Sequence, residues 1–440
     1  MFVIAWLTLL LLAALVIIAV GAWLRRTGEL VAPLPICLGT IAFYVVIRAA
    51  YLLWFERAPL TSAGLPLEEQ VFLITKTIGI TIVGVLAFLI GHHSSSAAFA
   101  GTNLRFSLPR PDRSRAMVLG TVLWVTGFAA AAYLVVELGG VTSAFAHQHE
   151  IGVVLANREL FFELTRLLIV PTALLLTDPR GHGSRWWVWL LAAVTTVVVL
   201  PLGRRAIIAL AACYPLALYH LTVRRISARA SITMLTVGAV ALFSFSYIRL
   251  LGPRTLGKAV RVFASDPSLA VHFGFASNGE LMIFDATTIV VRDVPSEMPF
   301  NYGSTIARVP VWAIPRAIWS DKPVTLGREI VTRYLPSSGA AYPPMAIGDL
   351  YAAAGVFAVI LGFACFGWVS RAAWEWHLRH TGPGNASVYL AFCFFVFDYS
   401  RVGDPSRTVW FFVVALASMT MAFTLAAQPR DRSFSAVPEV

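Results

Sequence analysis

Charge is scarce in this chain, and lysine nearly absent. Of its 440 residues, 13% are Asp, Glu, Lys or Arg, against roughly 25% in a soluble domain. A chain this poor in charge cannot cover a water-facing surface over most of its length. Lysine occurs only at Lys76, Lys258 and Lys322, so the basic excess behind the net charge of +11 is almost all arginine. Cysteine is equally sparse. Cys37, Cys213, Cys365 and Cys393 all fall in apolar stretches without metal-ligand spacing. They read as small buried hydrophobes and imply neither a disulfide framework nor a redox centre. The dyad alternation of a membrane β-barrel is missing too, because stretches such as 9–20 are apolar on every side. There is no Gly-rich phosphate loop, no serine or cysteine triad pattern and no nucleic-acid-binding module. The first apolar run, 2–23, has no basic leader and no small-residue cleavage site, so it is expected to be a retained span.

Long hydrophobic runs are what the chain does have. Hydrophobic residues make up 58% and the mean hydropathy is +0.75. Runs of about 18 or more apolar residues recur, each long enough to cross a hydrocarbon core roughly 30 Å thick as a helix. The expected fold is all-α, a polytopic integral membrane protein forming one transmembrane domain over 1–440. About eleven spans are placed at 2–24, 31–54, 71–90, 116–137, 160–177, 186–202, 206–222, 230–249, 344–369, 386–398 and 408–427. Every second connection is arginine-rich: Arg25 and Arg26, Arg105 to Arg115, Arg180 and Arg185, Arg224 to Arg229, Arg371 and Arg379, then Arg430 and Arg432. By the positive-inside rule these face the cytoplasm, which puts the N-terminus outside and the C-terminus inside.

The long segment 250–343, between spans eight and nine, then faces outward. A structureless loop of that length is unusual, so short helices are expected within it, at 268–285 and 306–318. Outward loops should be poor in arginine, yet this one carries Arg254, Lys258, Arg261, Arg292, Arg308, Arg316, Lys322, Arg328 and Arg333. Arg204 and Arg205 add to them from the preceding outward turn, Arg249 from the mouth of span eight, and Arg401 and Arg407 from the last outward loop. Guanidinium forks bind phosphate bidentately and stay charged. A basic cavity at the membrane surface therefore suits the phosphate or diphosphate headgroup of a lipid. Carboxylates are interspersed, and solvated ion pairs account for some of these arginines. Lys76, Glu163 and Arg166 fall within spans, where charge is a functional signal by default. Glu163 and Arg166, three residues apart, also suit a simple pair. His92–His93 lacks a third ligand, and His147-Gln-His149-Glu150 lacks the i, i+4 spacing of a helical metal site, so no metal is expected.

The segment contains a recognisable text. It runs Asn301-Tyr302-Gly303-Ser304-Thr305, then Ile314-Pro315-Arg316, Trp319, Lys322-Pro323 and Gly327, then Gly348-Asp349-Leu350-Tyr351 and Gly355. It resembles the bacterial O-antigen polymerases, the Wzy-type oligosaccharide repeat unit polymerases. The Arg316-to-Gly327 spacing fits an Arg-x10-Gly pattern of that family. Asp349 stands where the family has Glu, and Ala353-Ala354 replace its Asn-Phe. About 55 residues carry the resemblance.

The resemblance implies a GT-C-like helical fold and a metal-independent, cofactor-free glycosyltransferase of the bacterial inner membrane. Its substrates would be lipid-linked oligosaccharides of the undecaprenyl pyrophosphate type, joined on the extracytoplasmic face. A chain-length regulator is a possible partner, and nucleic acid is not one. Such a reaction needs cations for the leaving diphosphate and a base for the acceptor hydroxyl. Arg316 and Lys322 are the first candidates for the diphosphate, followed by Arg204, Arg205, Arg249 and Arg254. Asp349, Glu280, Asp285 and His272 are, with Arg316, the catalytic candidates. Each carboxylate also suits an ion pair or helix cap. Trp312, Trp319, Tyr302, Tyr342 and Tyr351 can stack on sugar rings, although an interfacial aromatic belt places the same residues there. Rival functions are an O-antigen ligase or other lipid-linked-sugar transferase, and a flippase of lipid-linked oligosaccharide. The first outward loop has no paired acidic residues, which disfavours the single-sugar transferases. Polar residues concentrate in one outward segment and not in paired halves, which disfavours a transporter.

Overall fold

The computed structural model describes residues 1–56, 65–146, 161, 164–176, 185–202, 205–227, 229–234, 238, 261, 265, 281–312, 314, 318–319, 324–334 and 342–427. Among these the chain is helical throughout, with a single isolated bridge between Pro111 and Ala427 and no strand. The helices that matter here are α1 (Phe2–Thr27), α2 (Pro33–Ile41), α3 (Ile47–Trp54), α4 (Leu67–His92), α5 (Ser95–Asn103), α6 (Arg113–Glu137), α7 (Val141–Ala146), α8 (Val170–Leu176), α9 (Arg185–Val199), α10 (Arg205–Thr222), α11 (Met282–Asp293), α12 (Ser304–Ala307), α13 (Leu326–Tyr334), α14 (Ala346–Arg379), α15 (Pro383–Val402) and α16 (Pro405–Leu425). Among the described residues six helical stretches are long and apolar enough to cross a membrane: α1, α2 with α3, α4, α6, α14 and α16. The protein is thus a helical membrane protein. Of the other five expected spans, four have their described parts in α8, α9, α10 and α15, and 230–249 lies outside the described residues apart from 230–234 and 238.

Exposure separates the helices at the rim of the bundle from those inside it. Helix α1 leaves Val3, Ile4, Leu7, Leu10, Leu11, Ile17 and Ile18 uncovered, an apolar face that water would not tolerate at this size. Helix α15 is the reverse. It is buried along most of its length, from Gly384 to Cys393 and again at Asp398, Ser400 and Arg401, and it packs against α2, α10, α14 and α16. Being enclosed by other helices, it can carry buried charge without exposing it to lipid. Cys37 and Cys393 are buried as expected, whereas Cys213 and Cys365 lie on exposed faces. In an apolar bundle a thiol meets lipid as readily as protein, so its presence in a hydrophobic run did not decide burial.

Helices α4 and α14 run side by side, and glycine sets their distance. A Cβ on Gly91 would lie 1.9 Å from the Ala364 carbonyl oxygen, and one on Gly367 would lie 2.0 Å from that of Phe88. Backbone therefore meets backbone, the geometry small residues permit in membranes, where helix association depends on close packing.

Two irregularities interrupt the bundle helices, one within the α2–α3 span and one near the start of α14. Between α2 and α3 the helix widens into a π turn at Ala42–Val46, a device that shifts the register of the residues after it. Helix α14 breaks at Ala354 (φ −161°, ψ 41°) and Gly355 (φ 64°, ψ −149°). The break frees carbonyls that lipid could not satisfy. The chain after α11 satisfies them: Asn301 N–H donates to Ala352 O at 2.9 Å, and Tyr302 N–H to Ala353 O at 3.1 Å. Beyond the break, Val356 to Arg379 still rises about 36 Å, enough to span the hydrocarbon core alone. The half-helix Ala346 to Ala353 is an addition at the bundle's end.

The expected helix at 268–285 lies outside the described residues except for its last five positions. A helix instead begins at Met282 and runs to Asp293, buried on most sides. In place of a helix over 306–318, the described residues form the short α12 and then successive i to i+3 turns, Trp312 N–H to Val309 O and Ile314 N–H to Val311 O. Pro310, which has no N–H to donate, interrupts the ladder there.

Candidate functional site

Three polar constellations assemble at that end. The first joins α3 to α11. Arg48 Nε donates to Asp285 Oδ1 at 3.0 Å and Nη2 to Oδ2 at 2.7 Å, and the two side chains are 3% and 1% exposed. This is the parallel, bidentate fork geometry. The guanidinium also lies 5.5 Å from the centre of the Tyr51 ring. Arg48 donates to both Asp285 oxygens, so Asp285, a carboxylate candidate that also suited an ion pair, is engaged in one. Arg48 was overlooked among the sequence candidates, although an arginine inside an apolar run is itself the signal that could have found it. Nearby, Lys76 Nζ donates to Val291 O at 3.1 Å and stands 6.0 Å from the Tyr351 ring centre. Tyr351 is buried between them and the bundle, with little ring face left for a sugar.

The second constellation surrounds Asp349, buried in the first turn of the α14 half-helix. Thr305 Oγ1 donates to Asp349 Oδ2 at 3.3 Å. Its charged neighbours are Arg308 and Asp404. Arg308 is 7% exposed and donates through Nη1 to Val324 O, while its Nε has no partner among the described residues. Asn301 Nδ2 is likewise buried without a partner among them, while its Oδ1 accepts from Gly303 N–H at 2.9 Å. Buried donors left over in this way need an account. An oxygen-rich ligand beside Asp349 would supply one. The backbone is pinned tightly: a Cβ on Gly348 would reach 2.6 Å from Pro344 Cβ, one on Gly327 would reach 2.7 Å from Pro343 Cα, and one on Gly403 would reach 2.3 Å from Pro344 O. Asp404, which caps α16 by accepting from Ser406 N–H at 3.0 Å, is thereby drawn towards Asp349. Tyr302, at φ 46° and 82% exposed, offers an open ring at the rim. Trp319 is exposed and Trp312 half-buried in the adjoining turns.

The third is a surface network. Asp293 accepts from Arg292 Nε at 2.6 Å and from the Tyr334 hydroxyl. Arg333 pairs with Glu297 at 3.0 Å. Burial and the hydrogen bond to the Asp293 carboxylate hold the Tyr334 phenol above its ordinary pKa, and hydrogen bonding to Asp293 raises Arg292. Arg292 and Arg333 are therefore engaged locally. Arg401, expected in a loop, belongs to α15 and is buried, paired with Asp398 at 2.8 Å.

Of the other candidates, Arg204, Arg249, Arg254, His272, Glu280, Arg316 and Lys322 lie outside the described residues, as do Glu163 and the 147–150 histidine cluster, and Arg205 is described only as the first residue of α10. His92 is enclosed by the Trp23 and Phe88 rings. The structure brings together Asn301, Tyr302, Thr305, Arg308, Asp349 and Gly355. Of these, Thr305 and Arg308 did not stand out by spacing, because only the fold sets them against Asp349. Compared with known proteins, the chain matches no family model, no curated protein and no solved structure.

Proposed function

We propose that this protein is a polysaccharide polymerase of the O-antigen polymerase type, joining lipid-linked oligosaccharide repeat units at the membrane surface. One observation carries the reading. Among the described residues, parts of the family-like text that lie far apart in the chain pack around the α14 half-helix that carries the buried Asp349. Asn301 and Tyr302 cap the break at Gly355, Thr305 binds Asp349, and Gly327 packs on Pro343.

In this reading the acceptor sugar hydroxyl attacks the anomeric carbon of the donor glycan. The new C–O bond forms as the bond from that carbon to the diphosphate oxygen breaks. The hydroxyl proton passes to Asp349, and the carrier lipid leaves as its diphosphate. Arg308, with Arg316 and Lys322 from the same segment, stabilises the charge that develops on the leaving oxygen. Tyr302 and Trp319 offer stacking faces at the rim. Arg48 and Asp285 hold α11 against the bundle, and α11 in turn supports α14 through Thr287, whose hydroxyl accepts from Met345 N–H at 3.1 Å.

The break in α14 also suits a transporter, since such proteins bind substrate at discontinuous helices. Its position argues the other way, because transporter breaks lie near the midplane and this one follows a half-helix at the bundle's end. Deleting the gene and analysing lipid-linked glycans by mass spectrometry separates the two. A polymerase defect leaves single repeat units exposed on the outer face. Retention of those units on the inner face would overturn the reading in favour of a flippase.

A further inference from the structure

At the opposite end of the bundle a cleft of about 630 Å³ opens between α1 and α14. One wall is apolar, formed by Leu15, Ile18, Ala19 and Ala22 of α1 with Leu89 of α4. Its mouth is lined by Arg26, Arg225 and Arg371. The two acidic residues that reach the cleft are already engaged. Glu375 pairs with Arg371 at 2.5 Å, and buried Glu29 lies 2.7 Å from His220 Nε2. His220 Nδ1 accepts from Ile226 N–H at 2.8 Å, so its proton sits on Nε2 and points at Glu29. That leaves Arg26 and Arg225 exposed, with no ion pair among the described residues.

We propose that this cleft binds an anionic phospholipid, its tail along the α1 wall and its phosphate between Arg26 and Arg225. Three features select that occupant. The apolar wall continues directly into the lipid-facing surface of α1, where Ile17 and Ile18 are 70% and 69% exposed, so a tail enters sideways from the bilayer. Arg26 stands in the last turn of α1 and Arg225 just past the end of α10, and Trp23 and Trp374 line the same cleft. The volume suits one headgroup with the adjoining part of a chain. A soluble anion would satisfy the arginines but leave the leucine and alanine wall uncovered. A neutral lipid would do the reverse. The site lies at the far end from Asp349 and is independent of the proposed reaction.

The test is native mass spectrometry of the purified full-length protein in detergent, titrated with phosphatidylglycerol or phosphatidylcholine. Phosphatidylglycerol is expected to bind selectively. A guanidinium near an anionic headgroup is worth roughly five-fold in affinity, so Arg26→Ala with Arg225→Ala is expected to weaken binding about 25-fold. Arg379→Ala, at the same end but outside the cleft, is expected to change nothing. Should the double variant fold poorly, Ala22→Phe fills the wall without touching charge and is expected to displace the lipid equally. Equal retention of the two lipids, or unchanged binding in the double variant or in Ala22→Phe, overturns the proposal. Binding of a polyprenyl phosphate with none of phosphatidylglycerol overturns the phospholipid assignment.

Discussion

Replacing Asp285 by Asn tests the central buried pair. The substitution keeps shape, removes one charge, and takes the carboxylate partner from a guanidinium that is 3% exposed. Removing one partner of a buried, bidentate pair costs about 3–5 kcal/mol, because the remaining charge stays desolvated. Replacing both partners by apolar residues of similar volume, Arg48→Met with Asp285→Leu, removes that penalty and is expected to be within about 1 kcal/mol of neutral or slightly stabilising. Arg48→Lys should fall between, since lysine keeps the charge but cannot make the two parallel bonds at 3.0 and 2.7 Å. Reversible unfolding in mixed micelles, titrated with a denaturing detergent, measures all three variants. The signature is a severe single change at Asp285 beside a mild double one. If Asp285→Asn lost less than about 1 kcal/mol, the charge would be solvated through the bundle and the pair would not be what holds α11. If the double variant were as unstable as either single one, packing around α11 would be the cause.

Arg316→Lys is expected to lower polymer formation roughly 10- to 100-fold at matched expression, the effect of losing one charge-assisted bond of about 1.5–3 kcal/mol to the leaving group. Arg113→Lys at the other end should leave polymer unchanged, and near-normal polymer from Arg316→Lys would shift the diphosphate site to Arg204, Arg205 and Arg254. Cysteines placed at Arg25, Arg113, Arg225 and Arg379 are expected to label from the cytoplasm, and those at Arg205, Arg316 and Lys322 from outside; inward labelling at Arg316 would undo the proposed reaction. Gly91→Val should cut the yield of folded protein sharply, because its Cβ would sit 1.9 Å from Ala364 O; overpacking of this kind costs about 1–3 kcal/mol or more. Gly39→Ala, with open space around its Cβ, is the matched control. Tyr334 has a raised folded pKa, so its contribution is complete below the unfolded value and is lost as pH rises through the folded one. Stability should therefore decline above about pH 10, and Tyr334→Phe should flatten that decline; an identical pH profile in the variant would show that the phenol is not coupled to Asp293.

Hydropathy alone determined the class of this protein. Lipid accepts only helices of a certain length with few charges, so composition and run length lead directly to a helical membrane bundle, and α1, α4, α6, α14 and α16 fall close to their expected positions. Other features are invisible at the level of runs. The central helix α15 reads as one more apolar span, yet burial by its neighbours lets it hold Asp398 and Arg401 away from lipid and water alike. The partner of an intramembrane charge is a matter of which helices touch. Arg48 and Asp285 are 237 positions apart, and no local pattern links them. The break at Gly355 is a decision of tertiary structure for the same reason. Glycine permits a positive φ, but only the docking of Asn301 and Tyr302 satisfies the carbonyls that the break exposes. Asp349 stood out in the sequence by its neighbours in the text. Its setting beside Thr305, Arg308 and Asp404 came from the close approach of Gly348 and Gly403 to Pro344, which side chains larger than hydrogen would have prevented.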